Sequence, residues 1–126
     1  MGSDNIVWVH GPFPCGENPD IIFFRAGLKL KLKQCREMAI CDNGYRGEAR
    51  RVQRKGDQSL FAQTRRDNST LLARHETING RIKFYKATSG KWRHSHEQHR
   101  QAFMAIVCLV QMSFPYEPLF EVRRVE

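Results

Sequence analysis

Hydrophobic residues fall along this chain in short runs, and the spacing within each run predicts the element it forms. Ile6-Val7-Trp8-Val9 is a compact apolar run halted at Gly11-Pro12-Phe13-Pro14, which predicts a strand ended by proline-rich turn chemistry. Ile21, Phe24 and Leu28 recur at helical spacing, whereas Leu28, Leu30 and Leu32 alternate with lysines. A helix from Ile21 to Lys33, capped by Asn18 or Asp20, is expected. Met38-Ala39-Ile40-Cys41 has the length and character of a strand; Asp42 ends it and Asn43-Gly44 marks a turn. From Gly47 to Arg66 the large apolar side chains are Val52, Leu60 and Phe61, which suits a loop with one short strand or turn. Leu71, Leu72, Ile78, Ile82 and Tyr85 form a broken helical stripe over Thr64 to Lys86, and Ser89-Gly90 ends it. The clearest helix runs from His96 to Met112. Phe103, Ile106, Val107 and Val110 share one face, and Met104, Cys108 and Met112 widen it. Such a helix is expected to lie buried against a sheet, closed by Pro115 and Pro118, with Leu119-Phe120 fastening the tail to the core.

Composition adds limits to this picture. A chain of 126 residues with 40% apolar side chains suits one domain with a modest core and excludes wholesale disorder. The formal charge of +8 and the pI near 9.7 favour a polyanionic partner, nucleic acid ahead of a membrane surface. The longest apolar run, Ala105 to Val110, is too short to span a bilayer. Met1 to Asn5 is polar and Ile6 to Val9 is too short for a signal peptide. A soluble intracellular protein is expected, nuclear in a eukaryote. Cys15, Cys35, Cys41 and Cys108 contain no C-x-x-C pair and read as free thiols in a reducing compartment. His96 and His99 lie one helical turn apart, but Glu97 faces elsewhere and no tetrahedral donor set is complete.

Two stretches carry candidate chemistry. From Arg46 to Arg66 seven cations face only Glu48 and Asp57. Arg46, Arg50, Arg51, Arg54 and Lys55, with Arg81 and Lys83, are candidate DNA-binding residues; the plainer alternative is a solvated loop. In Arg74-His75-Glu76-Thr77-Ile78-Asn79-Gly80-Arg81-Ile82-Lys83, one carboxylate sits among basic residues, and Gly80 leaves the helix surface open one turn beyond it. A lone Glu among cations is ordinarily half of a surface ion pair. Asp42, directly after an apolar run, raises another reading, because an acid at a strand end and an acid on a helix can together hold Mg²⁺.

These segments resemble a known family. Gly11-Pro12 through Asp20 to Phe24-Arg25 resembles the "PG…HD…FR" segment of DDE transposases of the PIF/Harbinger type. Cys41-Asp42-Asn43-Gly44-Tyr45-Arg46-Gly47 is similar to their "aD-x-GY-x-G" segment, and Arg74-His75-Glu76 with Asn79-Gly80-Arg81-Ile82-Lys83 to their "R-x-x-E-x-x-x-G-x-lK" helix. Gln111 with Glu117-Pro118-Leu119-Phe120 is similar to the family's tail. The resemblance implies an α/β, RNase H-like fold in which Asp42 and Glu76 are catalytic acids and metal ligands for Mg²⁺ or Mn²⁺ in a two-ion site. The family's first aspartate belongs to an upstream "DG-T" strand; Asp4 lacks that motif, and Asp20 matches a position not used as the primary ligand. The resemblance therefore implies one partial DDE endonuclease domain over residues 1–126, truncated at its N-terminus and lacking the first strands. Its implied activity is metal-dependent DNA cleavage and strand transfer by descent, weak or absent in the chain alone. A missing central strand also implies an exposed sheet edge through which copies associate. Two alternatives stand beside it: a nucleic-acid-binding remnant without catalysis, and an unrelated small basic RNA-binding protein.

Overall fold

The computed structural model describes residues 5–12, 20–48 and 50–120; Phe13, Pro14, Cys15 and Asn18, which enter the N-terminal reading above, lie outside them. In chain order the elements are α1 (Asp20–Ala26), α2 (Leu28–Cys35), β1 (Ala39–Cys41), β2 (Val52–Arg54), α3 (Ala62–Lys83), α4 (Lys86–Ser89) and α5 (His96–Ser113). The chain divides into two compact units. One spans Pro14–Ala73, the other joins Arg74–Glu121 to residues 5–12, and the division falls inside α3.

In the unit of residues 14–73, the helix expected over Ile21 to Lys33 is two helices interrupted at Gly27, whose φ of −132° and ψ of −81° are not helical. Helical spacing still governs the burial. Phe24 and Leu32 are buried with Val52, and Leu28, Ala39, Cys41 and Tyr45 pack around them, whereas Leu30 is exposed. The strand-like alternation of the leucines is therefore incidental: Leu28 and Leu32 are four apart and share a face of α2, and Phe24 of α1 packs in the same cluster. β1 and β2 pair in parallel, with Ala39 opposite Val52 and Cys41 opposite Arg54.

α2 ends at Arg36, which is left-handed at φ 57°. A side chain there costs about 1 kcal/mol that glycine avoids. Arg36→Gly is expected to raise the stability of this unit by roughly 0.5–1 kcal/mol, the gain being trimmed by glycine's freer unfolded state. Urea titration followed by circular dichroism measures it; a lower midpoint would mean that the Arg36 side chain itself holds the turn.

In the other unit, Ile106, Val110, Phe114 and Leu119 form the core, with Ile6, Ile78, Ile82 and Ala87 packed against them. α5 begins at a capping box: Ser95 Oγ accepts from the Gln98 N–H and Gln98 Oε1 accepts from the Ser95 N–H. It ends within a residue of the expected position; of the pair expected to fasten the tail, Leu119 is buried and Phe120 is exposed.

The RNase H-like α/β fold is not what these residues form. That fold needs a broad mixed sheet displaying acids at several strand ends, and the described residues hold a two-stranded sheet with three residues in each strand. Helices build the rest. The segment Ile6 to Val9 shows why. It is β-prone, but among the described residues no strand pairs with it; the Ile6 N–H donates to Gln111 Oε1 at 2.6 Å, and Gln111 Nε2 donates to Asn5 Oδ1 at 3.2 Å. A side chain from α5 supplies the hydrogen bond that a neighbouring strand would have given. α5 likewise packs on Ile78, Ile82 and the tail rather than on a sheet, and the long unpaired edge implied for a truncated sheet disappears with that fold. Met104, Cys108 and Met112, expected to widen the buried face of α5, are all exposed.

Candidate nucleic-acid interface

The basic stretch lies in the unit of residues 14–73 and is built around one acid. Gly47, at φ +89°, turns the chain so that Glu48 points inward and is buried. Arg25 Nε donates to Glu48 Oε1 at 2.6 Å, and Lys29 Nζ lies 2.8 Å from Oε2. The Glu48 carbonyl accepts from the N–H groups of Arg51 and Val52 at 2.9 and 3.0 Å. One residue thus fixes the loop to both helices and sets the start of β2. Lys29 and Arg25 hold the Glu48 carboxyl below the usual carboxylate range, against the opposing pull of its burial.

A lowered folded-state pKa means that this contribution to stability is complete above the ordinary Glu pKa of about 4.3 and is lost as pH falls through the folded value. The urea midpoint should therefore fall on acidification below about pH 4. Glu48→Gln is expected to lower the midpoint at neutral pH and flatten that acid-side slope. An unchanged slope would mean that the acid sensitivity resides in other carboxylates.

The second acid of the stretch is also occupied. Asp57 Oδ1 accepts from the Ser59 hydroxyl at 2.7 Å and its N–H at 3.0 Å; these bonds, with a smaller effect of Arg54's charge, hold the carboxyl below its usual range. Gly56 N–H donates to Asn43 Oδ1 at 3.1 Å, and Lys55 N–H to the Cys41 carbonyl at 3.0 Å, tying the far end of the loop to the turn after β1. Among the described residues, Arg46, Arg50, Arg51, Arg54, Lys55, Arg65 and Arg66 make no ion pair with a carboxylate. Arg46, Arg50, Lys55 and Arg66 are exposed, while Arg51, Arg54 and Arg65 are half-buried.

Asp42 follows β1 directly and is exposed. Its Oδ1 accepts the Gly44 N–H at 2.9 Å, a turn contact that occupies one side of the carboxylate. Next to it, burial and then the charge of Asp42 raise the Cys41 thiol to about 11. The Tyr45 hydroxyl is pushed up to about 12 by burial, then by Cys41, Asp20 and Asp42. The Tyr45 ring meets Phe24 edge-on at 5.5 Å.

Glu76 belongs to the other unit. It is exposed on α3, as is Gly80, where an added Cβ would meet nothing within 4 Å. Lys83 is exposed at the end of the same helix. Arg81 clasps the tail. Its Nη1 donates to the Glu117 carbonyl at 2.7 Å, and the guanidinium lies 5.7 Å above the Phe114 ring. Among the described residues no three His, Cys, Asp or Glu side chains come together to hold an ion, so Mg²⁺ or Mn²⁺ has no ready donor set there. His99 is taken up locally: Nε2 lies 3.0 Å from the Ala87 carbonyl, and Trp92 stacks on its ring at 4.8 Å. Among the described residues no helix is long and apolar enough to cross a membrane.

No family model, curated protein or solved structure matches the chain. The resemblance to DDE transposases rests on the quoted motifs alone.

Glu48 is the residue that the sequence pattern obscured. It reads as a stray acid in a basic loop, and the signal that points to its role lies elsewhere, in two cations spaced four apart, Arg25 and Lys29.

Proposed function

We propose that this chain binds the phosphate backbone of nucleic acid, DNA in the first instance, and does not cleave it. The observation that carries the reading is the state of the two acids in the basic stretch. Glu48 is held by Arg25 and Lys29, and Asp57 by Ser59, so the cations between Arg46 and Arg66 are left for an external anion. A loop of this kind neutralises phosphates without reading bases, and its affinity falls steeply with salt because counterions are released on binding.

The test is the anisotropy of labelled duplex DNA titrated with protein at a series of salt concentrations. Each phosphate contact contributes about −0.9 to the log–log slope on duplex and about −0.7 on a single strand. A slope of several such contacts supports the reading, and salt-insensitive binding or none at low salt overturns it. RNA in place of DNA distinguishes the nucleic acid preferred. The endonuclease reading rests on the order of the motifs around Asp42 and Glu76 and has its own assay. Mg²⁺- or Mn²⁺-dependent nicking of supercoiled DNA, abolished by both Asp42→Ala and Glu76→Ala, would replace the non-cleaving reading with the enzymatic one.

A further inference from the structure

We propose that the groove between the second half of α3 and the end of α5 takes unpaired bases of single-stranded DNA. α3 supplies one wall. Thr77, Gly80, Arg81 and Phe84 recur at three- and four-residue spacing, and the Phe84 N–H still donates to the Gly80 carbonyl, so the four share one face. An added Cβ at Gly80 would meet nothing within 4 Å, which leaves that face open one turn before Phe84. The end of α5, with Tyr116 and Glu117 just beyond it, supplies the other wall. The space between them is about 660 Å³, inside the ~300–1,000 Å³ of small-molecule sites.

The chemistry of the groove selects a flat occupant on an anionic chain. Phe84 and Tyr116 are 84% and 87% exposed, and the Phe84 and Tyr85 rings stand perpendicular with centroids 6.0 Å apart. Single exposed apolar side chains are ordinary, but three aromatic rings about one groove offer faces on which bases stack whatever their sequence. The charge around them suits a polyanion. Residues 77–96 hold Arg81, Lys83, Lys86, Lys91 and Arg93 and no Asp or Glu. Lys83, Lys86, Lys91 and Arg93 are exposed and make no ion pair among the described residues. The same charge repels a quaternary ammonium, the other partner that aromatic rings favour. Within the groove Arg81 and Glu117 offset each other, so its lining suits the uncharged base. The phosphates fall to Lys83 and Lys86, the chain neighbours of Phe84 and Tyr85.

A duplex keeps the faces of its bases inside the stack, so this groove takes only unpaired strands. The basic loop lies in the other unit and needs only phosphates. The choice of DNA over RNA rests on the reading of that loop; the stacking does not.

The test is the anisotropy of a labelled oligothymidine of about 12 nucleotides, within the ~4–16 of a single-strand site. It is titrated with the full chain and with the full chain carrying Arg50→Ala, Arg51→Ala, Arg54→Ala and Lys55→Ala. A failure of the loop reading shows on duplex DNA, and a failure of the groove shows on the single strand. Phe84→Ala with Tyr116→Ala is expected to weaken single-strand binding roughly 10- to 100-fold in both backgrounds. Duplex binding and the far-ultraviolet spectrum should not change, because both side chains are exposed. Phe84→Trp with Tyr116→Phe should retain single-strand binding, whereas Phe84→Leu with Tyr116→Leu should lose it. Lys83→Ala with Lys86→Ala should flatten the single-strand salt slope by ~1.4, at about 0.7 per contact. No single-strand binding, undiminished binding by the double alanine variant, retention by the leucine variant or an equal loss on duplex overturns the proposal. So does tighter binding of oligouridine of the same length, or displacement of the strand by polyglutamate at matched charge.

Discussion

Replacing Arg50, Arg51, Arg54 and Lys55 together by alanine is expected to flatten the salt dependence of duplex DNA binding by as much as ~3.6 in log–log slope, at about 0.9 per phosphate contact. At moderate salt, affinity should fall on the order of 100-fold or more, since each lost charge-assisted contact removes about 1 kcal/mol or more. The four side chains flank or belong to β2, and none pairs with a carboxylate among the described residues, so their removal leaves the internal ion pairs intact. The fold should survive, with Val52 still buried beneath the loop. The informative contrast is Arg25→Ala. Arg25 carries the same charge, but it is committed to Glu48, so its loss should lower stability more than it changes the slope. Equal slopes for the wild type and the fourfold variant would show that the loop is only a solvated surface.

Phe114→Ala is expected to cost about 3–5 kcal/mol, the usual result of emptying a buried aromatic site. Phe114 is 4% exposed among Ile106, Val110 and Leu119, and it carries the Arg81 guanidinium over its ring. Truncation therefore removes the core contact and the platform that holds Arg81 in place to grip the Glu117 carbonyl. Small domains have only about 5–15 kcal/mol of stability in total. At about 4–8 °C per kcal/mol, the melting temperature of this unit should fall on the order of 15 °C or more. Circular dichroism follows the loss of α5, and Trp92 fluorescence reports on the start of the same helix. Phe61→Ala is the control. It removes the same side chain from a site 85% exposed and should change stability by no more than about 0.5 kcal/mol. Similar effects for the two variants would place the core elsewhere.

Elements with a local cause were legible in the order of residues. Helical periodicity gave α5 and its buried face, because Ile106, Val107 and Val110 must lie together on any helix. It also gave most of α3, and the compact run ending at Cys41 gave β1. The candidate interface was legible as charge, because seven cations against two acids is a count that needs no coordinates. Glu76 beside an open Gly80 was legible too, since a missing side chain leaves space on any helix.

Whatever depends on a partner distant in sequence was settled only by folding. Ile6 to Val9 has strand character, but a strand exists only beside another, and here Gln111 takes the Ile6 N–H instead. Among the described residues the sheet consists of two short strands, and that overturns the RNase H-like reading. Glu48 became a buried anchor because folding brought it to Arg25 and Lys29, residues 23 and 19 positions earlier in the chain. Arg81, a candidate phosphate ligand, also clasps the tail because Glu117 and Phe114 arrive beside it. A side chain's type limits the interactions it can make; burial and the arrival of distant partners decide which of them it makes, and periodicity along one segment carries no information about either.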